Sequence, residues 1–135
     1  MLISTRGRYA LRVLLDLAEN QADGYIPMKT VATRQGLSLK YMEQIMPVLS
    51  KNKYVEGVQG KGGGYRLAGR PETYRVGDIL RLTEGDLAPV ACAGCTDQPC
   101  ERAADCRTLP MWVEFQALVN NYFDGITLAD LMKPQ

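Results

Sequence analysis

The order of short periodic segments between residues 27 and 67 constrains the fold more than any other feature of the sequence. Pro27 opens a segment through Gln35 that predicts a short helix, and Gly36 follows it, where a positive φ is cheap. Ser38 then precedes a second helical segment, for which it is a suitable N-terminal cap. Two short helices joined by a turn that contains glycine are typical of a helix-turn-helix.

The second helix separates apolar from polar side chains. We expect its buried stripe to consist of Leu39, Met42, Ile45, Met46 and Leu49. Polar side chains lie largely off that stripe, at Lys40, Tyr41, Glu43, Gln44 and Lys51. Pro47 conflicts with a regular helix, because an interior proline removes a hydrogen bond and costs about 3 kcal/mol. We expect a kink there, or an early end of the helix.

A glycine-rich hairpin is predicted next. The runs YVEGV and YRL read as two short strands around QGKGGG, and such a hairpin after a helix-turn-helix is a wing. The glycines do not form a P-loop, because Lys61 precedes them and a strand, rather than a helix, follows. A glycine-rich wing lets the backbone approach a minor groove, with Lys61 supplying charge. A flexible hairpin tip is the alternative.

The remaining elements are helical. Ser4 or Thr5 can cap a first helix that runs to about Asn20, and a helix is expected from Val76 to about Glu84. Thr108 can cap a long helix that Gly125 ends, and a last short helix follows. We therefore predict a mainly α fold with a small β-hairpin. It comprises a winged helix-turn-helix in 1–70, a linker helix and cysteine-containing loop in 71–107, and a dimerisation helix with a C-terminal helix in 108–135.

The composition excludes several classes of protein. The 135 residues contain no histidine, which removes Ser–His and Cys–His catalytic pairs and every histidine metal ligand. No stretch approaches the roughly 18 apolar residues of a membrane span. Arg12 and Asp16 interrupt the N-terminal apolar segment, which is therefore not a signal peptide. We expect a cytoplasmic protein that is neither an enzyme nor bound to a membrane.

The two halves of the chain carry opposite charge. Residues 1–70 contain 11 Lys and Arg against 5 Asp and Glu, whereas residues 71–135 contain 5 against 10. A basic N-terminal half indicates contact with a polyanion at one end, although ordinary solvated charge is the alternative. Together with the wing, it favours DNA over a plain helical hairpin. The candidate DNA-binding residues are Thr5, Ser38, Lys40, Tyr41, Glu43, Gln44, Gln59, Gly60 and Lys61.

Individual side chains in this set suit different parts of DNA. Tyr41 and Gln44 can bond base edges, and glutamine suits adenine in the major groove. Lys40 and Lys51 suit phosphates. Glu43 either accepts a hydrogen bond from the cytosine amino group or lies in solvent.

The long C-terminal helix is apolar on more than one side, which predicts a second partner beyond its own domain. The same helix of another chain is the simplest partner, and two-fold dimers suit palindromic DNA sites. Trp112, Phe115, Val119 and Tyr122 fall at spacings of three and four and are expected on one face. Wrapping by its own domain is the alternative.

All four cysteines fall between positions 92 and 106, in the spacing C-x2-C-x4-C-x5-C. A cytosolic cysteine cluster indicates a metal or redox site rather than a disulfide framework. The spacing leaves an iron–sulfur cluster, zinc, thiol redox chemistry and no cofactor open.

The sequence resembles a known family over essentially its whole length. The matching segments are LISTRGRYALRVLLDLA, SLKYMEQI, GKGGGYRLA, VGDILRLTEG and GITLADL. They resemble the IscR-type winged-helix regulators, a family that includes IscR, NsrR and CymR, and the IscR group above all. This resemblance implies a dimer that binds a palindromic operator and represses or activates transcription. It also implies, in many members, a cluster that senses iron–sulfur supply, nitric oxide or redox state, whereas other members sense cysteine metabolism without one.

The resemblance assigns Cys92, Cys100 and Cys106 as ligands of an iron–sulfur cluster, of 2Fe–2S or 4Fe–4S type. Leu109 stands where IscR has a histidine, and STRGRYA lacks the acidic ligand of other members. The fourth site then falls to Cys95 or to a small molecule or water. In an aerobic preparation the cluster can be absent, because freed thiols can form a disulfide. Gln59 stands in place of the family's wing arginine, and Lys61 is the candidate replacement.

Two functions follow from the sequence. The first is a transcription factor that senses through a cysteine-ligated cluster. The second is a DNA-binding regulator whose cysteines form a thiol switch or a zinc site, or which senses cysteine metabolism. An enzyme is disfavoured, because the chain has no nucleophile–base set.

Overall fold

A computed structural model of the chain describes residues 2–93 and 100–134. In chain order these form α1 (Thr5–Glu19), α2 (Met28–Gln35), α3 (Leu39–Lys51), β1 (Val55–Val58), β2 (Gly64–Leu67), α4 (Val76–Glu84), α5 (Leu109–Asp124) and α6 (Leu128–Leu131). The predicted fold class, mainly α with one antiparallel hairpin, is confirmed. Within the described ranges, no helix has the length and apolar content needed to span a membrane.

The ends of the two helices of the helix-turn-helix are formed by the local signals that the sequence predicts. Gly36 ends α2 with a φ of 67°, and the Ser38 side chain accepts a hydrogen bond from the Tyr41 N–H at 3.1 Å. The expected early end at Pro47 is wrong, because α3 continues through it to Lys51. Pro47 lies on the exposed side of α3. Water can therefore reach the carbonyl that loses its intrahelical partner.

The hairpin is attached to the helical unit by a short bridge. Ile26 and Tyr65 exchange backbone hydrogen bonds of 2.8 Å in both directions. Gly64 has a φ of 151°, and a Cβ at this position would collide with the backbone of Ile26. A glycine is therefore required where β2 begins, so that the wing can approach the turn before α2.

The main core is closed by the chain itself. It joins buried side chains of α1, α2, α3 and both strands with Tyr74, Ile79 and Leu128. The Tyr74 hydroxyl donates to the Tyr54 carbonyl at 2.6 Å and accepts from the Gly69 N–H at 3.0 Å. The beginning of the predicted linker region, residues 71–75, is thereby fixed to the base of the hairpin.

One expected member of the core lies outside it. Leu39, predicted on the buried stripe of α3, is 44% exposed, whereas Met42 and Leu49 are fully buried. Leu39 is the first residue of α3, and the core does not extend to it.

A smaller cluster connects α4 to α5. Val76, Leu80 and Leu87 are buried together, and Val119 and Phe123 of α5 pack against them. Leu87 is 2% exposed. The cysteine-containing loop that follows α4 is therefore anchored at its beginning by Leu87.

Helix α5 has one side that packs on its own chain and one side that faces solvent. None of the 16 residues of α5, all within the described part of the chain, is buried. Phe115 and Tyr122 are 41% and 62% exposed, but Val119 packs on the smaller cluster and Trp112 is half-buried. The face that these four residues share is therefore divided: part of it covers the chain's own domain, which was the alternative reading, and part of it faces solvent. The exposed apolar residues at spacings of four, three and four form an outer strip: Met111, Phe115, Leu118 and Tyr122.

Candidate DNA-binding surface and cysteine segment

The exposed side of α3 carries the predicted polar residues. Lys40, Glu43 and Gln44 are exposed, and the opposite side of the helix is buried in the core. Ser38 is exposed at the N-terminus of the helix, with its oxygen occupied by the cap. The structure thus brings together the sequence-predicted residues of α3 on one solvent-facing surface.

Tyr41 has a second neighbour that the sequence does not reveal. It is half-buried, and its ring meets that of Tyr9 edge to face at 5.3 Å between centroids. The Arg12 guanidinium lies 5.3 Å from the centre of the Tyr9 ring. Arg12 also donates hydrogen bonds to the carbonyl and the side chain of Gln35. These contacts hold α1 against both helices of the motif.

The wing residues Gln59, Gly60 and Lys61 are all exposed at the tip of the hairpin. Gly60 has a φ of 92°, in the region that favours glycine. Beside the tip lies a cavity of about 480 Å³ whose lining includes Met28, Ser50 and Tyr65. The tip of the wing therefore presents its backbone to solvent, while the two strands behind it pack side chains into the core.

The N-terminus of α1 is attached to the end of α4. Ser4 donates to the same Glu84 carboxylate oxygen from its hydroxyl at 2.5 Å and from its N–H at 3.0 Å. Thr5, the first residue of α1, is exposed, and its hydroxyl accepts from Arg8 at 3.2 Å. Glu84 is the last residue of α4, and the cysteine-containing loop follows it. This loop therefore begins close to Thr5, a predicted DNA-binding residue.

A second attachment joins α4 to the C-terminal end of α5. Arg81 donates to both carboxylate oxygens of Asp124, at 2.8 and 2.9 Å, and to the Asn120 side chain at 3.0 Å. Hydrogen bonding to Arg81 lowers the pKa of Asp124. Gly77 is buried beneath this pair, and a Cβ there would collide with the Asp124 carboxylate. Sequence reasoning missed Arg81, because its partner lies 43 positions away.

Cys106 lies immediately before α5 and is held by its first residues. Its sulfur is 3.4 Å from the Thr108 hydroxyl. The Thr108 side chain, together with the backbone N–H groups of Thr108 and Leu109, lowers the pKa of Cys106. The predicted side-chain cap by Thr108 is absent from this fully described helix start, because its hydroxyl is directed to Cys106 instead. Cys106 therefore reaches the thiolate form, which ligates metals, more readily than a cysteine without these contacts.

Two further cysteines lie in the described part of the chain, and both are exposed. Cys92 is exposed on a 3-10 turn, Ala91–Ala93, that contacts α5, and Cys100 is exposed. Cys95 falls outside the described residues. Within the described ranges, no three cysteine or acidic side chains are gathered closely enough to hold a metal. The thiolate donors fit an iron–sulfur cluster chemically, but binding would require the cysteines to come closer together than they lie in the described residues.

A short helix, a turn and a second helix with an exposed polar side, followed by a glycine-rich hairpin, define the winged helix-turn-helix class of DNA-binding proteins. The chain belongs to the Rrf2 family, described as iron-dependent transcriptional regulators, whose profile matches residues 3–134.

Known relatives agree with this assignment. The chain is 39% identical to protein rrf2 of Nitratidesulfovibrio vulgaris over 134 residues, which are 98% of this chain and 88% of that protein. It is 33% identical to the HTH-type transcriptional regulator IscR of Aliivibrio salmonicida over 132 residues, 98% of this chain and 77% of that protein. CymR, the global cysteine regulator of B. subtilis, superposes with a TM-score of 0.81 at 32% identity, covering 97% of this chain and 95% of CymR.

The family membership confirms the predicted resemblance and the assignment to transcription regulation. It also confirms that the protein is a regulator rather than an enzyme. The winged-helix fold followed by a C-terminal helix is shared with CymR.

Proposed function

We propose that the protein is a homodimeric regulator that binds a palindromic operator through residues 38–44 of α3 and the wing. The observation that carries this proposal is the placement of Lys40, Glu43 and Gln44. Their helix is fixed from behind by a closed core, while their side chains face solvent. The net positive charge of residues 1–70 supports attraction to phosphates. Acting on DNA, the protein would work in the cytoplasm.

In vitro selection from randomised duplexes, followed by binding measurements on variants, tests this proposal. Replacing Gln44 with Ala should relax sequence choice at one base pair of each half-site, because a bidentate base contact discriminates by about 1–3 kcal/mol. Tyr41→Phe removes the hydroxyl but keeps the ring in contact with Tyr9, so this variant tests whether the hydroxyl contacts DNA. Variants that bind the selected operator as the parent does would contradict the assignment of α3.

The outer strip supports the dimer. Leu118 and Tyr122 are each 62% exposed, and an apolar strip of this kind on a surface helix marks an interaction site. A second copy of α5 is the partner that suits a two-fold operator. Sedimentation of the parent at micromolar concentration should therefore show a dimer.

For the sensing function, we propose an iron–sulfur cluster held by Cys92, Cys100 and Cys106, with Cys95 as the candidate fourth ligand. Cys106 supports this proposal, because its contacts favour the thiolate at the start of the helix that carries the outer strip. When bound, the cluster would supply redox chemistry and reactivity towards oxygen or nitric oxide. A change at Cys106 would reach α4 through α5 and the Arg81–Asp124 pair.

Anaerobic reconstitution of the parent and of single Cys→Ser variants tests the ligand set, with iron and sulfide content as the readout. Loss of the cluster in the Cys92, Cys100 and Cys106 variants is the expected result. A Cys95→Ser variant with full and stable cluster content would remove Cys95 and leave the three-cysteine site. A parent that binds zinc and no iron would contradict the cluster.

A cluster-free regulator is the second candidate, and the close match to CymR favours it. In this alternative the cysteines act as a thiol switch or bind zinc, or the protein senses cysteine metabolism. A visible absorption spectrum of protein purified without oxygen separates the two candidates, because only the cluster absorbs there.

A further inference from the structure

The exposed large apolar side chains of the described residues fall into three groups. Five lie on α5, at Met111, Val113, Phe115, Leu118 and Tyr122, and two lie near the ends of the chain, at Leu2 and Leu131. The remaining two are Leu39, 44% exposed on α3, and Val58, 47% exposed on the wing. Both of these belong to the two elements that the proposed function places on DNA.

The position of Leu39 is more informative than its exposure, because isolated apolar residues are common on protein surfaces. Leu39 is the first residue of α3, and Ser38, Lys40 and Glu43 around it are exposed and polar. In a helix-turn-helix, the N-terminal residues of the second helix contact base edges in the major groove. An apolar side chain here therefore meets bases rather than phosphates.

The major groove offers one apolar feature to such a side chain. Thymine carries a 5-methyl group there, and apolar side chains recognise it by contact. The minor groove has no equivalent methyl group, so Val58 on the wing lacks the same opportunity. We propose that Leu39 is a specificity-determining residue that selects thymine by packing against its 5-methyl group. This inference rests on the proposed function, in which α3 contacts the major groove.

Deoxyuridine tests this contact, because it differs from thymidine only by that methyl group. The probe is a duplex selected in vitro with the parent protein, in which each thymine is replaced in turn by deoxyuridine. At one thymine of a half-site, the Kd of the parent should rise about fourfold, since burying one methyl group contributes about 0.8 kcal/mol. Leu39→Ala should bind the two duplexes equally.

Two controls separate the contact from general effects. Val58→Ala should keep the fourfold difference whatever its overall affinity, and Leu39→Met should keep most of it. Leu39→Ala removes an exposed side chain and introduces the best helix former, so α3 should remain folded. Circular dichroism and sedimentation of each variant check this.

The outcomes distinguish this inference from the function on which it rests. A parent that binds its operator but does not distinguish deoxyuridine from thymidine at any position overturns the role of Leu39 alone. A Leu39→Ala variant that keeps the fourfold difference also overturns the role of Leu39. The same holds for a Leu39→Ala variant whose only defect is in dimer formation. A parent that selects no operator overturns both the proposed function and this inference.

Discussion

The winged unit, from α1 to β2, and helix α5 are stabilised in opposite ways. Leu14, Met42 and Leu49 in the winged unit are fully buried by neighbours from the same chain. No residue of α5, which is described in full, is buried, and its longest apolar strip faces outwards. The comparison teaches that the winged unit carries its own core, whereas α5 leaves an apolar strip that its own chain does not cover and that the proposed dimer would cover.

The largest effect should come from a charge in the outer strip. Leu118→Asp would bury an unpaired carboxylate in the proposed dimer interface, which costs about 3–5 kcal/mol. Sedimentation should therefore show a monomer. Val113→Asp is the matched control, because Val113 is 50% exposed but lies off the strip. Equal effects of the two substitutions would contradict the outer strip as the interface.

A core substitution should act without regard to protein concentration. Leu14→Ala leaves a cavity in the winged unit and should lower the free energy of unfolding by about 2–5 kcal/mol. Leu118→Ala should change it by less than about 0.5 kcal/mol when the protein is dilute enough to be monomeric. Urea unfolding at two protein concentrations measures both. A large loss for Leu118→Ala in the monomer would show that α5 is buried by its own chain.

The Arg81–Asp124 pair connects the two regions, and its removal should have a moderate effect. Asp124→Asn should cost about 1 kcal/mol, a value reduced by solvent because the two side chains are 32% and 29% exposed. The exposed pair Arg70–Glu72 provides the control, and Glu72→Gln should be nearly neutral.

The pH dependence of this effect has a defined sign. Because the pKa of Asp124 is lowered in the folded protein, its contribution is complete above the ordinary value of 3.8 and is lost as the pH falls through the lowered value. The difference in unfolding free energy between the parent and Asp124→Asn should therefore disappear in acid. A difference that grows in acid would contradict the ion pair.

The smallest effect is expected at the wing. Lys61→Gln should weaken binding to all DNA sequences alike and reduce the slope of log K against log salt by about 1, because one phosphate contact is lost. Lys133→Gln, at the far end of the sequence, should leave the slope unchanged. A sequence-dependent loss for Lys61→Gln would instead indicate a base contact.

Local rules predict the winged unit better than they predict α5. The cap at Ser38 and the left-handed Gly36 depend on neighbours within three residues, and both are visible in the sequence. The helical periodicity places Leu39 on the buried stripe of α3, but it does not show where the core ends, and Leu39 is exposed. The boundary between the packed and the exposed side of α5 is not visible in the sequence for a similar reason: both sides are apolar, and only the tertiary contact with Leu80 and Leu87 distinguishes them.

The candidate site residues likewise include some that local sequence rules predict and some that only tertiary contacts reveal. The polar residues of α3 could be predicted from one helix, whereas the Ser4–Glu84 contact joins residues 80 positions apart and has no local signal. Cys106 could be identified as a candidate ligand from its spacing. Its hydrogen bonds from the start of α5 could not, because Thr108 was expected to cap the helix instead.

In the proposed function, the cysteine-containing loop in 85–107 controls DNA binding by residues 1–70 through α5. The direct measurement is the Kd for the selected operator, taken without oxygen on one preparation before and after its iron is removed. The parent should change its affinity by about 5–150-fold, the range of ordinary allosteric coupling, and Cys106→Ser should bind with the iron-free value throughout. A parent that holds iron and sulfide, yet binds the operator with the same Kd in both states, would contradict this account.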